Sequence, residues 1–165
     1  MFFMKKIITL TALFSMFASL GVLAQTSDAE AEALINLWGV QKKEAISKLV
    51  PVSGNDSVAF WKLYNEYQES NKATAKNRIR LYEQTARAYS NMTSATADSL
   101  SAKYFKNRVD QESTLQDYYK KIKKATNAVT AFEFYQAEVY ILTQVRASIM
   151  NQIPTYSEFQ RTMKK

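Results

Sequence analysis

Apolar positions recur along this chain at helical spacing, and few residues interrupt the recurrence. Leu34, Ile35, Trp38, Ala45, Ile46 and Leu49 mark a first helix that follows a polar leader (Gln25 to about Asp28) and is stopped at Val50 by Pro51. Phe60, Tyr64, Tyr67, Ile79, Tyr82, Ala86 and Tyr89 keep close to a three-and-four spacing, which predicts a second helix from about Gly54 to Asn91. At ~1.5 Å per residue that helix is roughly 55 Å long and calls for an elongated hairpin. Ala97, Leu100, Tyr104, Leu115, Tyr118 and Ile122 predict a third helix to about Ala125, after a turn at Met92–Thr96 with Thr93 or Ser94 as N-cap. A fourth helix is expected from Thr130 to about Asn151, where Ile153-Pro154 ends it. Its stripe is Phe132, Tyr135, Val139, Leu142 and Ile149, with Val145 alongside. The tail 155–165 is polar and short, and predicts no element.

Punctuation supports the same picture. Three glycines and two prolines leave little room for the tight turns of an all-β protein. The expectation is an all-α fold of about four helices, including a long antiparallel pair, forming one domain over residues 25–165. In front of it stand Lys5 and Lys6, an apolar run from Ile7 to about Leu20, and the small-residue site Val22-Leu23-Ala24. This is the layout of a signal peptide over residues 1–24, cleaved near Ala24, with the periplasm or secretion as destination. The run is marginal for a membrane span and holds Thr9, Thr11, Ser15 and Ser19, so retention as an inner-membrane anchor is the alternative. The mature chain is not expected to span a membrane.

Two residue types are missing, and this narrows the chemistry. Without cysteine there is no disulfide framework, thiol chemistry or iron–sulfur ligation, and without histidine the commonest general base and metal ligand are gone. Glu30 with Glu32, and Asp110 with Glu112, are two apart and point to different sides of a helix, so they make no catalytic pair. No Gly-rich phosphate loop or dinucleotide fingerprint occurs. The expectation is no enzyme, no metal and no cofactor. The net charge of +7 would ordinarily suggest nucleic acid, but an exported protein rarely meets it. Ten tyrosines and nine phenylalanines make the apolar stripes aromatic; at helical spacing such residues are read first as core.

Charge is uneven. Lys72, Lys76, Arg78, Arg80 and Arg87 face a single acid, Glu83, within residues 71–87. Lys103, Lys106, Arg108, Lys120, Lys121, Lys123 and Lys124 outnumber Asp110, Glu112 and Asp117 within 103–124. If the second and third helices pair about the turn at 92–96, these stretches lie side by side. The candidate binding surface is then Lys76, Arg78, Arg80, Tyr82, Tyr89, Tyr104, Phe105, Lys106 and Arg108. The plainer reading is a solvated face, with Lys120 to Lys124 favoured by the helix C-terminus.

A helix-start signature appears twice. Val52-Ser53-Gly54-Asn55-Asp56 and Val129-Thr130-Ala131-Phe132-Glu133 both read apolar, hydroxyl, two residues, acid. Ser53 or Thr130 would cap the first turn, Asp56 or Glu133 would reach back, and Val129 would staple onto Phe134. The spacing resembles the LTxxQ signature of the Spy/CpxP-like family of small periplasmic helical proteins, with Val for Leu and an acid for Gln. The stretches Phe60–Tyr67 and Tyr118–Lys124 are similar to its uncharacterised envelope members, and the resemblance covers about residues 40–150. It implies a curved antiparallel homodimer of long helices. It also implies an ATP-independent chaperone (holdase) binding unfolded or partly folded envelope proteins on a basic and apolar face. The alternative is a stress-regulatory protein docking on one envelope partner. The family's metal-binding branches use histidines, so a metal role is not carried over.

Overall fold

Residues 28–151 and 153–164 are described by a computed structural model of the chain; the expected signal segment 1–24 lies outside them. Among these residues the chain forms five helices: α1 (Asp28–Leu49), α2 (Gly54–Ala88, followed by a 3-10 turn Tyr89–Asn91), α3 (Ser94–Ala125), α4 (Ala128–Met150) and α5 (Tyr156–Met163). The all-α expectation holds, and the boundaries follow local chemistry. Pro51 cannot continue the hydrogen-bond ladder of α1. Thr93 caps α3 by accepting from the Thr96 N–H at 3.1 Å, which leaves one orphan donor fewer at that end.

The two helix-start signatures behave differently from expectation. Ser53 sits at the N-cap of α2 with extended backbone but makes no side-chain cap bond. The next residue, Gly54, enters the helix at φ +58°, a conformation glycine tolerates and one that spoils the approach of a cap hydroxyl to the first-turn N–H groups. Asp56 instead accepts from Asn127 Nδ2 at 3.2 Å. At α4 the cap is Asn127, whose side chain accepts from the N–H groups of Val129 and Thr130 at 3.0 and 2.9 Å. Thr130 is therefore inside the first turn and buried, and Val129 is exposed rather than stapled over Phe134. Asparagine ranks with serine as a cap, and its position three residues upstream of Thr130 displaces the expected box.

The helices run alternately up and down. The Asp56–Asn127 bond places the α1–α2 and α3–α4 turns at one end. α2 packs most extensively on α3, α3 on α4, and α1 lies against α2 and α4. With 35 and 32 residues, α2 and α3 outrun α1 and α4, which have 22 and 23. Toward the far tip the tail, for which the sequence predicts no element, folds as α5: a capping box of Thr155 and Glu158 starts it, and Tyr156 and Phe159 pack their rings 5.5 Å from that of Tyr89. Carbon-to-solvent contact at an otherwise bare Tyr89 is what this short helix removes.

The main core sits where four helices overlap. Ile46 from α1, Val50 just after it, Phe60, Tyr64 and Tyr67 from α2, Leu115 and Ile122 from α3, and Ala131 and Phe134 from α4 are almost free of solvent. Phe134 stands edge-on to Phe60, Tyr64 and Tyr67, with centroids 6.3, 6.3 and 5.3 Å away, the geometry the ring quadrupole favours. The buried residues of α4 are Thr130, Ala131, Phe134, Ala137, Glu138, Ile141, Leu142 and Ile149; of the expected stripe Leu142 and Ile149 are buried, whereas Phe132 and Tyr135 face out. Small alanines that let helices approach closely outweigh the larger aromatics in choosing the inner face.

Candidate functional site

Along the α2–α3 seam the α3 side chains that bond across to α2 recur every seven residues, as in a coiled coil. Tyr104, Gln111 and Tyr118 on α3 meet Thr85, Arg78 and Ser70 on α2 at 2.8, 2.9 and 2.9 Å. Apolar positions alternate with polar layers, and the polar layers need partners because burial strips them of water.

One layer is charged. The Glu138 carboxylate, with no exposed side-chain area, takes the Lys42 ammonium at 2.6 Å and the Tyr67 hydroxyl at 2.8 Å. Lys42 also reaches Gln68, whose amide donates to the Gly39 carbonyl at 3.2 Å, so α1, α2 and α4 are tied together here. Burial first, and the Glu138 charge second, hold the phenols of Tyr64 and Tyr67 well above their usual range. A second layer is a neutral amide between two cations: Gln111 Oε1 accepts from Arg78 at 2.9 Å and from Arg146 at 2.6 Å. Among the described residues neither guanidinium has a carboxylate in ion-pair contact.

The nine residues proposed from sequence as one binding surface are separated by the fold. Arg78 is buried at 6% exposure in the layer just described. Tyr89 is buried under α5. Tyr82 and Tyr104 are half-buried and face each other at 5.8 Å across the hairpin, with Tyr104 also bonded to Thr85; burial raises the Tyr104 phenol. Lys76 and Arg80 are half-buried, and neither is free. Phe105, Lys106 and Arg108 do lie on the outside of α3, Phe105 at 70% exposure, and Lys106 is paired with Asp110 at 2.8 Å. Val109 continues this exposed strip one turn on.

A second outward face was missed because its aromatics were assigned to the core. On α4, Val129, Phe132, Tyr140, Ala147 and Met150 are exposed at three-and-four spacing, interrupted by Gln136 and Thr143, and Tyr135 is exposed beside them. The two-residue link Thr126-Asn127 joins the start of this stripe to the last turn of α3, where Lys123 and Lys124 stand in solvent. Basic and apolar groups therefore adjoin at that end. The sequence carried a usable signal: alanines at 131 and 137 flank Phe134 at helical spacing and mark the close-packed side.

Among the described residues no group of three His, Cys, Asp or Glu side chains is placed to hold a metal, and no helix is long and apolar enough to cross a membrane. No protein-family model, no curated protein and no solved structure matches the chain.

Proposed function

We propose that the protein is a binding module of the bacterial periplasm, reached through the leader expected at residues 1–24, which holds partly folded polypeptides without ATP. The observation that carries this reading is the outward apolar stripe of α4, with Phe132 at 50% exposure, next to the lysines that end α3. Large apolar side chains left in solvent along one helix face mark an interaction surface more often than chance exposure does. Positive charge at its end would draw in acidic segments over a distance of about a Debye length, roughly 10 Å at moderate salt, and the rings would then hold apolar ones. Phe105, Lys106, Arg108 and Val109 on α3 extend the same chemistry. The family resemblance points the same way, although the capping boxes on which it was drawn are not formed at Ser53 and Thr130.

The continuity of the α4 stripe also favours a second reading, in which one partner helix docks along it: a dedicated envelope protein, or a second copy of this chain in a homodimer. The experiment is suppression of aggregation of two unrelated denatured proteins, at low and high salt, by the purified protein and by a variant with Phe132, Tyr135 and Tyr140 changed to Ser. Suppression of both, weakened by salt and lost in the variant, supports the holdase. Suppression unchanged in the variant removes α4 as the surface. Failure to suppress either favours the dedicated partner.

A further inference from the structure

A pocket of about 820 Å³ opens between α1, α2 and α4, within the size range of small-molecule sites. Its walls are largely apolar, with Ile35, Val40 and Trp38 on one side and Ile141, Leu142 and Val145 on the other. Arg78 lies in its lining, nine-tenths buried, and the guanidinium Nε has no acceptor among the described residues. Asn71, one of the neighbouring lining residues, is also buried with Oδ1 lacking a donor among the described residues.

The other charges that line the pocket have partners or stand in solvent, as Glu66 does at the rim. Lys42 is spent on Glu138, Lys43 donates to Asn65 at 2.9 Å, and Glu69 at the rim is paired with Lys72 at 2.8 Å. Arg78 has only a neutral amide, which it shares with Arg146. Burial, and then the like charge of Arg146, press the Arg78 guanidinium below its usual range. Arginine stays protonated even so; Arg78 is a buried positive charge lacking a counter-ion among the described residues, with the half-buried Arg146 beside it. Breaking or omitting the partner of a buried charge is costly, and an anion entering the pocket would supply it.

We propose that this pocket binds a medium-chain acyl carboxylate, its tail along the apolar walls and its head at Arg78. The proposal is independent of the α4 surface, since the residues it uses face the gap between helices. Neutral and cationic amphiphiles of the same length share the tail but gain nothing from the guanidinium, so discrimination by head group is the signature.

The test is calorimetric titration of the full chain with dodecanoate, dodecanol and dodecyltrimethylammonium, each below its micellar concentration. Dodecanoate is expected to bind at least about tenfold more tightly than the other two. Arg78→Met should erase that preference while leaving tail binding. Gln111→Glu gives the two guanidiniums an internal carboxylate; it should also erase the preference, with the helical signal and melting temperature kept or raised. It carries the test if Arg78→Met does not fold. Equal affinity for the three amphiphiles, no binding of dodecanoate, or a preference that survives Gln111→Glu would each overturn the proposal.

Discussion

Replacing Lys42 by methionine tests the charged layer that joins α1 to α4. The substitution keeps most of the stem volume and removes the ammonium 2.6 Å from a fully buried carboxylate. With an effective dielectric of about 20, unit charges at that separation of 2.6 Å attract by roughly 6 kcal/mol. Desolvation of the two ions offsets much of this, so the pair as a whole adds little over an apolar substitute. Removing one partner alone is different, because Glu138 is left buried without its counter-charge; such losses run to about 3–5 kcal/mol. Lys42 keeps 12% exposure and Tyr67 still donates to the carboxylate, which puts the expectation at the lower end, about 3 kcal/mol. In urea, with a slope of about 2 kcal/mol/M, the unfolding midpoint should fall by about 1.5 M. The double variant Lys42→Met/Glu138→Gln removes both charges while its amide oxygen still accepts from Tyr67. It should recover at least half of the loss. A single variant within about 0.5 kcal/mol of the parent, the range of ordinary surface changes, would refute the reasoning. So would a double variant no more stable than the single one.

Other expectations follow from the same structure. Gln111→Glu places a carboxylate between Arg78 and Arg146 and should raise the urea midpoint, by the equivalent of about 1–3 kcal/mol; a lower midpoint would mean the two guanidiniums are not charged and close as described. Phe134→Ala should cost about 3–5 kcal/mol because it empties the centre of the aromatic core, whereas Phe132→Ala should change stability by less than about 0.5 kcal/mol. Reversed magnitudes would return α4 to the orientation expected from its sequence stripe. Tyr64 and Tyr67 titrate at higher pH folded than unfolded. Their contribution is therefore complete below the unfolded phenol range near ~10, and is lost as pH rises above it. The melting temperature should fall above about pH 10, less steeply in a Tyr64→Phe/Tyr67→Phe variant, and an equal slope in both proteins would discount these two groups.

Helix number and boundaries in residues 28–151 were largely legible because their causes are local. Pro51, Thr93 and the scarcity of turn formers act within a few residues, and three-and-four spacing records that one face of each helix is buried. The hairpin of α2 and α3 follows from their length and the short turn between them. The α5 helix was not legible: eight residues carry too little periodicity, and their stability rests on Tyr89, which is distant in sequence.

The candidate surface was decided by tertiary structure. A stripe says that some face is buried but not which of two overlapping faces, and on α4 the alanines allowed the close approach that placed Phe134 inside and Phe132 outside. Arg78 reads as one more surface base in a basic stretch until Gln111 and Arg146, 33 and 35 residues from their bonding partners, enclose it. Glu138 reads as a solvated acid until Lys42 and Tyr67 arrive from two other helices. The sequence alone specifies the four long helices and, to within a few residues, where each begins and ends, since backbone capping and proline sterics act at short range. Only the packed structure decided which charges lose their water, because desolvation depends on every helix that closes over a side chain.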